Sequence, residues 1–217
     1  KIKFGPKGDY EGLALLSENM YVLESSGILF KVKDWQSSAS AVASRLHLPA
    51  KDNESLCYDS IGKQLLISPK SRWQKKKGGH KSKHPVFAVD PATDTMIPRP
   101  TFTIDPRDVV AFAMAHGLSL SGASEGKPHK KERLQLMLSA IAVHPLTGDI
   151  YAVSAHNRLL LSFDRTGRVT GLVQLNPALF MQPEGLAFLP DGTLIIVNES
   201  PRKKPGLLLF GWHRPKQ

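Results

Sequence analysis

The stretch PEGLAFLPDGTLIIVNES, Pro183–Ser200, decides the fold. Two short apolar runs, GLAFL and TLIIVN, flank Pro190-Asp191-Gly192. Proline presets a turn dihedral, aspartate bonds its own backbone, and glycine supplies positive φ. The runs are β-branched and too short for helices, so the stretch reads as an antiparallel strand hairpin. The same pattern occurs three more times: DYEGLALLSENMYVLESSGILF (Asp9–Phe30), NESLCYDSIGKQLLISPK (Asn53–Lys70) and LSAIAVHPLTGDIYAVSAHNRLLLSFD (Leu138–Asp164). Matching positions fall at Glu11, Glu54, Ser139 and Glu184, with spacings of 43, 85 and 45 residues.

Two of these spacings equal one four-stranded blade of a β-propeller, typically about 40–50 residues. The fold class is therefore all-β: a single propeller domain over residues 1–217, with antiparallel blades near 9–50, 53–105, 138–176 and 183–212. The long spacing is read as one blade plus an insertion, 106–137. VFAVD (Val86–Asp90) and MIPRPTFTI (Met96–Ile104) complete the second blade. Within the insertion, Asp105-Pro106 supplies an N-cap and a first-turn proline, and Gly117 a stop, so a short helix is expected. After GLLLF the last unit shows no fourth strand, and Lys1–Phe4 could supply one.

Hairpin symmetry places side chains. Residues equidistant from a turn are cross-strand neighbours about 5 Å apart. On simple mirroring Glu11 faces Glu24, Glu54 faces Pro69 beside Lys70, Ser139 faces Ser154 near His156 and Asn157, and Glu184 faces Glu199. The first strand of each blade lines the central channel, so these groups are expected to share one channel mouth. Facing carboxylates must be offset by a cation, by basic neighbours or by protonation. Ca²⁺, which takes six to eight oxygens, would use Glu11, Glu54, Glu184 and Glu199 as ligands, with Asn53, Asn157 and Asn198 available beside them. The plainer alternative is that the glutamates accept backbone N–H bonds or pair with Lys70 and loop lysines.

Net charge is +10, and thirteen of the 29 basic residues fall in three loop-like clusters. Arg72, Lys75, Lys76 and Lys77, and Lys203 and Lys204, are expected as a basic rim at the carboxylate mouth. Such runs are ordinarily solvated faces; the sharper reading is attraction to a polyanion or an anionic surface. Nucleic acid is not expected, because Trp73 stands without the several aromatics that stack bases. His80 and His84 lie among lysines and lack further ligands for zinc. Cys57, the lone cysteine, reads as core on an inner strand. No apolar run reaches the length of a membrane span.

The motifs GDYEGLAL (Gly8–Leu15), YVLES (Tyr21–Ser25), SAIAVHPLTGDIYAVS (Ser139–Ser154) and QPEGLAFLPDGTLIIVNES (Gln182–Ser200) resemble the SdiA-regulated family of bacterial β-propellers. The resemblance implies a periplasmic or cell-surface protein, secreted or anchored by lipid upstream, with no assigned activity. It also implies a five-bladed parent whose first blade precedes KIKFGPKGDYEG. The resulting expectation is a non-enzymatic envelope binding module for a small or anionic ligand, with a divalent cation as one route to capture. A calcium-dependent lactonase or phosphoesterase is the catalytic alternative by analogy of fold, and polyanion binding through the basic loops is the third.

Overall fold

The computed structural model describes residues 3–36, 40–50, 52–70, 83–120, 134–199 and 204–213. Four antiparallel sheets form a four-blade β-propeller arrangement. The first runs in order through β1 (Tyr10–Leu16), β2 (Asn19–Glu24), β3 (Ile28–Lys33) and β4 (Ser40–Arg45). The second contains β5 (Asn53–Asp59), β6 (Gln64–Pro69), β7 (His84–Asp90), β8 (Thr95–Met96) and β9 (Phe102–Ile104). Helix α1 (Pro106–Ala115) follows. The third sheet is β10 (Ala140–Val143), β11 (Ile150–Ser154), β12 (Leu159–Phe163) and β13 (Val169–Gln174). The fourth is β14 (Gln182–Phe188), β15 (Leu194–Glu199) and β16 (Gly206–Phe210).

The outer strand of the second sheet is broken in two. Both β8 and β9 pair with β7, separated by Pro98-Arg99-Pro100. A proline has no N–H to give a ladder, so the interruption falls where two of them stand. Ile97 and Thr101, on either side, still donate to Ala88 and Val86. Helix α1 starts as its sequence dictates: Asp105 caps it, accepting from the Arg107 N–H, and Gly117 ends it at φ +64°.

Sheet-to-sheet packing runs from β1 to β5, from β5 to β10 and from β10 to β14. The largest core lies between the second and third sheets, where Leu66, Ile104, Ile141 and Phe163 meet Val109 and Ala113 of α1. Gly12 shows how tightly the first two blades fit. A Cβ there would stand 2.6 Å from Leu56 Cβ and 2.9 Å from Leu56 N. Among the described residues, packing of that extent does not return from β14 to β1. Leu13 and Leu15 on β1, and Leu207 and Leu209 on β16, are correspondingly exposed.

Two local expectations change. His84 is no loop residue; it opens β7, is 1% exposed, and its Nε2 lies 3.0 Å from Ser68 Oγ and 2.6 Å from the Pro69 carbonyl. Burial pulls its pKa down to about 4. Phe4 supplies no strand to the last sheet: its ring packs 5.2 Å from Tyr10 and 5.9 Å from Phe30, against the first sheet. Among the described residues the last sheet keeps three strands. His80, Lys1 and Ile2 lie outside the described residues.

Candidate functional site

Simple mirroring of the hairpins fails by one residue in three blades, and the failure is informative. In the first sheet Tyr10 pairs with Glu24 and Gly12 with Leu23, so the register steps across Glu11. In the second, Asn53 pairs with Pro69 and Ser55 with Ser68, stepping across Glu54. In the fourth, Pro183 pairs with Asn198 and Gly185 with Val197, stepping across Glu184. Each of these glutamates is the extra residue of a bulge, a device that re-aims a side chain at a strand end. The expected facing pairs Glu11–Glu24 and Glu184–Glu199 are therefore corrected: Glu24 faces Tyr10, and Glu199 faces Gln182.

The bulges bring Glu11, Glu54 and Glu184 into one electrostatic neighbourhood around Lys70. Lys70 Nζ donates to Glu54 Oε1 at 2.9 Å, with Glu54 only 6% exposed. This bond, more than anything else, holds the Lys70 pKa above its ordinary value. Burial raises Glu54 in spite of it, and Asp52 adds to the rise. Glu11 is pushed up to about 7, first by burial, then by the charges of Glu54 and Asp9. Glu184 is raised by burial and by Glu54, with Lys70 and the Ser139 hydroxyl acting the other way. One ammonium thus serves three carboxylates.

The remaining predicted residues part company with this cluster. Glu24 caps its own turn, accepting from the Ser26 N–H at 3.0 Å and from the Ser26 hydroxyl. Asn157 is buried and occupied, its Oδ1 accepting from Ser154 Oγ at 2.9 Å. His156 is exposed. Glu199 lies near enough to Glu184 to raise it. Arg72, Lys75, Lys76, Lys77 and Lys203 lie outside the described residues, while Lys204 borders a recess beside Asn198 and Glu199. Ser139, placed at the mouth by the repeat but given no role there, takes the place of the fourth carboxylate with its hydroxyl. It donates to the Pro183 carbonyl at 2.9 Å and accepts from the Ala155 N–H, tying the third blade to the fourth. Its position in the repeat was the only sequence signal.

The four expected calcium ligands do not form a closed set among the described residues. Among the described residues no group of three or more His, Cys, Asp or Glu side chains is gathered closely enough to hold a metal ion. Glu54, the most buried of the four proposed ligands, already accepts from Lys70. An ammonium in that position repels a hard cation. Cys57 packs against the large core, and burial pushes its thiol pKa up, which suits a core residue and not a nucleophile.

The sequence model of the SdiA-regulated family matches residues 104–203. No curated protein matches the chain by sequence. The fold is similar to the crystal structure of glutaminyl cyclase from Myxococcus xanthus: TM-score 0.52, 17% identity, 93% of this chain and 73% of that one. It is also similar to a chain of a nidogen/laminin complex, with TM-score 0.50 and 10% identity over 87% of this chain and 55% of that one. At such identities the likeness is one of fold. The bulged EGLA and NES hairpins, the propeller arrangement and the matched segment agree: this is a β-propeller chain whose residues 104–203 match the SdiA-regulated family.

Proposed function

We propose that this chain is an envelope binding module whose channel mouth takes a ligand carrying cationic or strongly hydrogen-bond-donating groups. The observation that carries the reading is Glu11, held at about 7 by burial and by its carboxylate neighbours. With Glu54 and Glu184 also raised and, among the described residues, Lys70 alone offsetting them, a second positive group entering the mouth gains by relieving repulsion. The envelope location rests on the family resemblance. Calorimetric titration with putrescine at low salt is the direct test, run near neutral pH in two buffers of different ionisation enthalpy. Binding should release protons, because the diamine favours ionised Glu11, and Glu11→Gln should weaken it about tenfold. Capture of a small carboxylate instead of the amine would contradict the reading.

One observation favours a catalytic alternative. Glu11, pushed up to about 7 and lying within the field of Lys70, is suited to general acid–base chemistry. Turnover of a simple lactone or phosphoester, lost in Glu11→Gln, would support it. A calcium requirement would not follow from the ligand geometry. Attachment to a polyanion through the basic loops is the third proposal, and it demands retention on an anionic matrix that falls steeply with salt.

A further inference from the structure

Beside the mouth, between the link that follows β13 and the end of the last sheet, lies a recess of about 110 Å³. Leu179, Met181, Asn198, Glu199 and Lys204 line it. Glu11, Glu54 and Lys70 do not. Asn198 is 5% exposed, yet neither its Nδ2 nor its Oδ1 has a hydrogen-bond partner. Buried polar groups are nearly always paired, and each exception calls for an explanation. Among the described residues Asn198 is the one side chain with two such atoms; Asn53 and Gln174 each leave only their amide oxygen unpartnered. Among the described residues, neither Glu199 nor Lys204 forms an ion pair.

We propose that this recess binds a small zwitterion, a free α-amino acid with a short apolar side chain. The lining offers one group for each part of such a molecule. The Lys204 ammonium suits the α-carboxylate and the Glu199 carboxylate suits the α-ammonium. Asn198 contributes a donor nitrogen and an acceptor oxygen, and can serve both ends at once. Leu179 and Met181 present an apolar wall to the side chain. The volume holds roughly four waters at about 30 Å³ each, which is the scale of alanine or valine. The proposal does not depend on the function assigned to the mouth.

The test is titration of the whole chain with L-alanine and L-valine, against alaninamide and N-acetylalanine. Alanine should bind, and loss of either charged end should weaken binding at least tenfold. Lys204→Met should abolish discrimination between alanine and alaninamide, and Glu199→Gln that between alanine and N-acetylalanine. Lys70→Met should leave all of these unchanged, which separates the recess from the mouth. Asn198→Leu provides a second readout: it should raise the melting temperature while eliminating binding, because a ligand-facing amide costs stability when left unpaired. No alanine binding at about 10 mM, a Kd range of weak association, would overturn the proposal. Binding indifferent to Lys204→Met and Glu199→Gln would overturn it equally, as would a destabilised Asn198→Leu protein.

Discussion

Lys70 holds its ammonium 2.9 Å from the buried Glu54 carboxylate, joining the end of β6 to the bulge that opens β5. Glu54 is nearly inaccessible and Lys70 about a third exposed, so the pair is unequal. Removing the lysine strands a carboxylate out of water, whereas removing both leaves nothing to solvate.

Lys70→Met should therefore destabilise the protein by about 2 kcal/mol near pH 8. The loss should shrink when the pH is lowered to 5, because the Glu54 carboxyl, already raised by burial, takes up a proton more readily once its lysine is gone. Adding Glu54→Gln should recover much of it. Urea unfolding of the single and double variants at both pH values measures the coupling.

Glu11 gives a pH signature of opposite sign to an ordinary salt-bridged carboxylate. Its folded pKa of about 7 exceeds its ordinary 4.5, so the folded state binds more protons between those values. Stability from this group is present below about pH 4.5 and is lost as pH rises to about 7. Comparison of the native protein with Glu11→Gln isolates the effect. At pH 8 the variant should be more stable by about 1–2 kcal/mol once solvent screening at the mouth is allowed for, and near pH 4 the two should coincide.

Gly12 lies against the Leu56 backbone, and Gly185 has the equivalent place after its own bulge. A Cβ on Gly185 would meet Val197 Cβ at 3.0 Å and nothing of a neighbouring blade. Gly12→Ala should thus cost about 2–4 kcal/mol by forcing two blades apart, and Gly185→Ala clearly less. Melting temperatures of the two variants make the comparison.

Asp59, fully buried, joins the second blade to the third on the opposite rim. It accepts from the Ile61 and Gly62 N–H groups, from Gln64, and from both terminal nitrogens of Arg165. Burial works to raise its pKa, but these donors outweigh it and hold the carboxyl below its ordinary value. Asp59→Ala should destabilise by about 3 kcal/mol, more than Arg165→Met, because the turn amides lose their acceptor as well. Denaturant midpoints at pH 7 decide the order.

Blade identity was legible because the hairpins repeat and their turns carry Pro-Asp-Gly or Thr-Gly-Asp. Helix α1 was legible from Asp105, Pro106 and Gly117. The mouth was only half legible. Its carboxylates could be found at repeated positions, but a mirror rule assumes an unbroken ladder, and bulges at Glu11, Glu54 and Glu184 shift each register by one. Nothing in those residue types announces the step. Glu24 was misplaced for that reason, whereas pairing of a ring glutamate with Lys70, the plainer alternative, is what Glu54 shows. The orphaned amide of Asn198 depends on which loops pack around it, and no local pattern encodes that.

The most direct test of the mouth is a carboxyl-carbon NMR titration of Glu11 in the native chain, in Glu54→Gln and in Lys70→Met. A midpoint near 7 is expected in the native protein, lower in Glu54→Gln and higher in Lys70→Met. An ordinary midpoint near 4.5, unmoved by either substitution, would show that the three carboxylates and the lysine do not share one opening.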